Sequence, residues 1–255
     1  MFHIKICGIT TPNDARLAAT AGADAVGLNF FPPSSRYISA EMAEEIIAAL
    51  PKGVVRVGLF VNAAADRICR LFDTLPLDLI QLHGDEPPEF LTQLGHRPTM
   101  RAFRIGGKQG EQSDNRLQPV WDYLARCWEL KTPPALVLLD ALAESRYGGS
   151  GVLADWSAAR EYLAQDEKEK EQEEENPPLV LAGGLTPANV AEAIRTVHPA
   201  AVDVASGVES SPGRKDPAAV AAFVQAARTA WEARVTHFHA AQDDAAGDCN
   251  RSNSS

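Results

Sequence analysis

Residues 179–196 read LVLAGGLTPANVAEAIRT: a short aliphatic run, a glycine pair, a Thr-Pro step, and then apolar residues at helical spacing. The run 179–183 has the length and branched composition of a buried strand. Thr186 is a natural N-cap and Pro187 suits the first position of a helix, which the pattern predicts over 187–196. The strand is apolar on both faces, as expected where helices cover one side and other strands the other. This segment is one β-turn-α unit.

The same unit recurs along the chain. Strands are predicted at 3–7, 25–30, 54–61, 79–83, 100–105, 136–140, 179–183 and 201–205, and helices near 12–21, 39–50, 64–74, 87–94, 115–128, 155–164, 187–196 and 217–234. Thr11-Pro12-Asn13-Asp14 repeats the helix-start signal. Eight alternations are the count of a closed parallel barrel, so the expected fold is α/β, a single (β/α)8 TIM barrel over residues 1–235. A doubly wound open sheet is the rival architecture, but no G-x-G-x-x-G follows the first strand.

Of the formal charge of −10, half comes from 165–176, QDEKEKEQEEEN, with seven acids against two lysines. This run lies between the sixth helix and the seventh strand and is expected to be a solvated helix extension or an insertion. The remaining body has no basic stripe, which argues against a nucleic-acid partner. No apolar run approaches the roughly 20 residues of a membrane helix. The start, MFHIKICGIT, reads as a strand rather than a secretory signal, and points to the cytoplasm. Cys7, Cys69, Cys127 and Cys249 are dispersed, with no C-x-x-C pair, so neither a disulfide framework nor a zinc knuckle is expected. Residues 236–255 have the composition of a disordered tail. Its His237 and His239 have no third ligand nearby, so no metal is expected.

In a barrel of this kind the site lies where the strands end. Alternation puts Lys5 and Cys7 on one face of the first strand, and Gln81 and His83 on one face of the fourth. Taken singly, Cys7 reads first as a small buried hydrophobe, the commonest fate of a free cysteine, while His83 reads equally as a structural histidine. The sixth strand, LVLLD, ends an apolar run on Asp140, where a carboxylate is costly without a role or a partner. Gly183 and Gly184 after the seventh strand, with Ser206 and Gly207 after the eighth, would let backbone N–H groups approach an anion. Arg214 and Lys215 follow the last strand, as helpers of that site or as an exposed turn. Arg36, after the Pro32-Pro33 turn, suits carboxylate recognition, but taken alone it reads first as a surface arginine in a loop.

Eight segments in order, KICGIT (5–10), GADAVG (22–27), SRYI (35–38), VGLFVN (57–62), QLHGD (81–85), YGGSG (147–151), LAGGLT (181–186) and VDVASGVE (202–209), resemble the phosphoribosylanthranilate isomerase family of tryptophan biosynthesis. The resemblance spans about residues 3–230. It implies a cofactor-free Amadori rearrangement of N-(5-phosphoribosyl)anthranilate to 1-(2-carboxyphenylamino)-1-deoxyribulose 5-phosphate, with this small molecule as the binding partner. By the same resemblance Cys7 is the general base and Asp140 the general acid, and Arg36 meets the anthranilate carboxylate. Gln81 and His83 line the cavity, while Gly183, Gly184, Asp203, Ser206 and Gly207 belong to the strand ends that cradle phosphate. Tyr147–Gly151 is expected to form a cover. The sequence leaves the oligomeric state open.

The competing reading is another phosphate-binding barrel acting on a related aminosugar phosphate. A histidine-pathway isomerase would be expected to carry Asp in place of Cys7. Indole-glycerol-phosphate synthase would need a lysine acid at the mouth, where Lys5 lies one residue pair too deep. A noncatalytic scaffold would not be expected to keep Cys7, Asp140 and Arg36 together.

Overall fold

The computed structural model describes residues 1–105, 116–140, 156–168 and 175–249. Eight parallel strands, β1 (Ile4–Cys7), β2 (Ala25–Asn29), β3 (Val55–Phe60), β4 (Leu79–Leu82), β5 (Thr99–Arg104), β6 (Leu136–Asp140), β7 (Leu179–Ala182) and β8 (Ala201–Val204), close into a barrel in sequence order. Closure runs through β1 and β8, with Lys5 opposite Asp203. The strands lie within a residue or so of the expected ranges.

The covering helices are α1 (Pro12–Ala21), α2 (Ala40–Ala48), α3 (Ala65–Thr74), α4 (Pro88–Thr92), α5 (Gln118–Glu129), α6 (Ser157–Lys168), α7 (Val190–Val197) and α8 (Pro217–Cys249). Thr11 caps α1 as expected, its side chain accepting from the Asp14 N–H at 3.1 Å. The expected cap of α7 is different. Asn189 precedes the helix, its Oδ1 accepting from the Thr186 N–H at 2.7 Å and its Nδ2 donating to the Gly184 carbonyl at 3.0 Å. The Thr186–Asn189 stretch is therefore a pinned turn, and helix α7 begins at Val190 rather than at Pro187.

Helix α8 runs beyond the expected end at 234 and carries helix into the stretch read as a tail. Residues 165–168 of the acidic run extend α6, and 169–174 lie outside the described residues, as do 106–115 and 141–155 with the Tyr147–Gly151 segment. An antiparallel hairpin not foreseen from the sequence, β9 (Glu209–Ser211) with β10 (Arg214–Lys215), follows a single 3₁₀ turn at Ser206–Val208.

Two apolar clusters follow the strand alternation. Ile4, Ile6, Val26, Leu28, Ile80, Leu82, Val137 and Leu139 face outward into the layer packed by the helices. Ala25, Val57, Leu79, Met100, Leu136, Val180 and Ala201 fill the lower barrel, where Phe2 joins them. Higher up, the interior turns polar: Lys5, Gln81 and Asp203 are buried directly above this apolar floor. The barrel is thus filled as a packed core below and presents chemistry above.

Candidate active site

Alternation decides which side chains reach the mouth. Asp140 is two residues beyond Leu138 of the interior cluster, and His83 two beyond the buried Gln81, so both belong to inward-facing rows. Cys7, two beyond Lys5, completes the set on β1. The sequence-predicted Cys7, Gln81, His83, Asp140 and Asp203 therefore share one interior surface at the C-terminal ends of the strands.

Lys5 is fully buried and donates to the Asp203 carboxylate at 2.9 Å. Burial alone would push the ammonium down, but the Asp203 carboxylate and the Cys7 sulfur hold it above its ordinary value. Asp203, expected among the phosphate-cradling strand ends, has its carboxylate committed to this pair inside the barrel. An ammonium so placed stays protonated, and the deep position expected for Lys5 is the observed one.

Burial pushes the Cys7 thiol up, against the downward pull of Lys5; Asp203 adds to the push and Lys215 to the pull, and the net direction is upward. Gly27 on β2 makes the space for this arrangement. A Cβ there would stand 2.6 Å from the Cys7 sulfur and 3.1 Å from the Lys5 Nζ.

Gln81 and His83 are 3.1 Å apart, Nε2 to Nδ1. An amide nitrogen donates, so with this assignment Nδ1 accepts and the imidazole proton sits on Nε2. Burial, with the charges of Arg104, Lys5 and Arg101, lowers the His83 pKa to about 4, so the ring is neutral near pH 7 and offers a hydrogen-bond donor rather than a charge. A cleft of about 280 Å³ opens beside it between β4, β5 and the start of α5, lined by Arg104 and Arg116 together with Phe103, Ile105 and Val120.

Arg36 is not a free surface group. Its Nε and Nη2 donate to the two Glu209 oxygens at 2.8 and 2.6 Å, and Glu209 also accepts from Lys215 at 2.8 Å. That fork fixes the guanidinium plane and leaves the Nη1 side for another anion. The Arg36 stem lies over Gly8, where any Cβ would collide with the Arg36 Cδ. Lys215 is buried and also donates to the Ala205 carbonyl at 3.0 Å, tying the β9–β10 hairpin to the end of β8. Its role is therefore structural support of the site rather than the exposed turn, whereas Arg214 is exposed.

The two glycine turns come together. Gly183 and Gly184 have φ of +91° and +63°, the left-handed region that favours glycine. A Cβ on Gly207 would overlap the Leu185 carbonyl, so the β8 turn packs backbone to backbone on the β7 turn. Ser206 starts the 3₁₀ turn at this junction. Sequence reasoning passed over Asn189, which pins the β7 turn, and Glu86, which accepts from the Asn62 and Gly84 N–H groups at 2.6 and 3.0 Å and pairs with Arg101 at 3.3 Å.

A family profile described as N-(5'phosphoribosyl)anthranilate (PRA) isomerase matches residues 4–226. The chain belongs to this family. An N-(5'-phosphoribosyl)anthranilate isomerase of Trichlorobacter lovleyi is 45% identical over 231 residues, covering 90% of this chain and 100% of its relative. Among solved structures, the phosphoribosyl anthranilate isomerase of Thermotoga maritima superposes with a TM-score of 0.74 at 37% identity, over 90% of this chain and 100% of that one. A further phosphoribosyl anthranilate isomerase, solved with reduced 1-(o-carboxyphenylamino)-1-deoxyribulose 5-phosphate, gives 0.71 at 35% identity, over 90% and 100% of the two chains. The family accounts for the barrel and for the ordered motifs at its mouth.

Among the described residues no group of three His, Cys, Asp or Glu side chains is placed to hold a metal ion.

Proposed function

We propose that the chain is an N-(5'-phosphoribosyl)anthranilate isomerase that performs its rearrangement by acid-base catalysis between Cys7 and Asp140. The observation that carries this reading is the convergence of two inward-facing groups, a thiol ending β1 and a carboxyl ending β6, on one mouth beside the paired glycine turns of β7 and β8.

The chemistry assigns opposite protonation states. Asp140, protonated, gives its proton to the furanose ring oxygen, and the ring opens to an iminium. Cys7, as thiolate, takes the proton from C2, and the resulting enolamine tautomerises to the ketone. Arg36 presents its unspent edge to the anthranilate carboxylate. The backbone of Gly183, Gly184, Ser206 and Gly207 receives the phosphate. Neutral His83, with Gln81 behind it, donates a hydrogen bond into the cavity. Asp203 acts on Lys5 and not on the phosphate, since two anions side by side repel.

The reading places the reaction in tryptophan biosynthesis, on a small-molecule substrate in the cytoplasm and away from nucleic acid and membranes. Among the described residues no helix is long and apolar enough to cross a membrane. The barrel, with its support from α8, is taken as one domain.

The test follows loss of phosphoribosylanthranilate fluorescence with the purified chain and with Cys7→Ser and Asp140→Asn. Conversion by the unaltered chain that collapses in both variants supports the acid-base pair. An inactive unaltered chain refutes the substrate, and full rate in either variant refutes that residue's role.

A further inference from the structure

A lysine with no exposed surface inside a barrel is an expensive choice. A buried ion pair rarely repays the loss of hydration, and apolar residues of similar volume serve stability as well or better. The layer beneath Lys5 is already apolar, so packing does not require a charge there. The pair with Asp203 satisfies the ammonium's charge but uses one of its three N–H groups.

The space around Lys5 indicates what the remainder serves. Lys5 and Cys7 lie in the same inward row of β1, and both heads crowd the volume that a Gly27 side chain would fill, the sulfur 2.6 Å and the nitrogen 3.1 Å from that missing Cβ. A glycine in the middle of β2 costs strand stability. Here it leaves room for a cation and a sulfur to sit together.

We infer that Lys5 is the positioning residue of the Cys7 base: fixed by Asp203, its ammonium lies beside the sulfur and stabilises the thiolate form that the reaction consumes, offsetting part of the burial that favours the thiol. This rests on the reading of Cys7 as the base. Ionisation of Cys7 sends its proton to solvent, Lys5 keeps its own, and the thiolate then accepts the substrate's C2 proton to return to the thiol.

Among the described residues, four charged groups face the sulfur. Lys5 comes from its own strand, Asp203 from β8, Lys215 from the β9–β10 hairpin and Arg36 from the segment after β2. Of these four, only Asp203 opposes the thiolate, and its carboxylate is spent on Lys5. Arg36 and Lys215 are both drawn to Glu209, which leaves Lys5 as the cation nearest in sequence and largest in effect on the thiol.

The experiment titrates Cys7 directly in the full chain without substrate. The ultraviolet absorbance of the thiolate is followed against pH, and the Cys7→Ser titration is subtracted to remove the other cysteines and the tyrosines. Expected is a Cys7 midpoint below the pH at which the chain unfolds, moving up by about one unit or more in Lys5→Met, about a tenfold loss of thiolate at neutral pH. The rising limb of the isomerase pH–rate profile should move with it.

A merely structural role for Lys5 predicts the opposite sign. A loosened barrel admits water, relieves the burial that pushes the thiol up, and brings the midpoint down toward 9.0. A midpoint that is unchanged or lower in folded Lys5→Met overturns the inference, as does an unaltered chain with no Cys7 thiolate in its folded range. If Lys5→Met does not fold, Gly27→Ala takes its place, since the added methyl parts sulfur and ammonium while keeping the charge. The same upward shift is then expected, and its absence overturns the inference. Because this titration uses no substrate, its failure is separate from the failure of Cys7 as base, which the Cys7→Ser isomerase rate reports.

Discussion

Arg36 and Glu209, 173 positions apart, meet edge to edge, with Nε and Nη2 of the guanidinium on the two carboxylate oxygens at 2.8 and 2.6 Å. The Glu209 side chain is almost fully buried and that of Arg36 a quarter exposed. Burial would raise the Glu209 carboxyl, but Arg36 and Lys215 hold it below its ordinary value, so it stays ionised at neutral pH. Glu209 therefore aims the guanidinium at the mouth instead of letting it sweep the loop.

Glu209→Gln keeps the shape and removes the charge-assisted fork. Charged hydrogen bonds of this kind contribute about 1.5–3 kcal/mol, so KM for phosphoribosylanthranilate should rise by about tenfold to a hundredfold. The loss belongs to binding, so kcat should fall far less. Steady-state kinetics separate the two, and a KM within twofold of the unaltered chain would show that Arg36 does not depend on Glu209 for its aim.

The buried pair Glu86–Arg101 lies on the outer side of the barrel, where Arg101 donates to the Leu82 and Gly84 carbonyls and stacks over Phe103 and Tyr123. Glu86 holds the chain after β3 and the turn after β4 at once. Removing one partner of a buried pair leaves the other charge uncompensated, at a cost of about 3–5 kcal/mol. Glu86→Ala should lower the urea midpoint accordingly. A change below about 1 kcal/mol would mean that the pair is solvated and not a clamp.

The pH dependence of stability should carry the signature of His83. Its folded pKa, about 4, is below the ordinary 6.5, so protonation is resisted only in the folded chain. Between pH 6.5 and 4 the unfolded chain takes up a proton that the folded chain refuses, and stability falls as pH falls. The upper bound is roughly 3 kcal/mol across the window, with the full contribution present above it. His83→Gln should flatten this part of the stability curve, measured by urea unfolding at a series of pH values. An unchanged slope would place the titration elsewhere.

These contacts mark the limit of what was legible in the sequence. The inward rows of Lys5 and Cys7, of Gln81 and His83, and the terminal position of Asp140 follow from a period of two, and so does the closed barrel that unites them. Partners do not follow from a period. Nothing local to Asp203 announces that it sits opposite Lys5, because barrel closure creates that register. Glu209 and Arg36 are joined by the same closure. Asn189 was hidden behind a stronger local signal: Thr-Pro reads as a helix start, and only the turn around the Gly184 carbonyl and Thr186 N–H gives the Asn side chain precedence. Arg101 is a charge on the outward face of β5, between Thr99 and Phe103, and its two aromatic neighbours come from the end of β5 and from α5.

Gly207 gives the sharpest steric prediction. Its φ is not in the left-handed region, so alanine carries no backbone penalty there, but the new Cβ would strike the Leu185 carbonyl and approach the Thr186 Cα to 3.3 Å. Neither obstacle is a flexible side-chain end. The β7 and β8 turns must separate, moving the N–H groups of Gly183, Gly184 and Ser206 relative to one another. Overpacking costs about 1–3 kcal/mol of stability, and the proposed anion cradle should suffer more than the proposed acid-base pair on β1 and β6. Gly207→Ala should thus raise KM about tenfold or more, corresponding to about 1.4 kcal/mol, and weaken competitive inhibition by inorganic phosphate in parallel. Undiminished phosphate inhibition in the folded variant would place the substrate's phosphate away from these two turns.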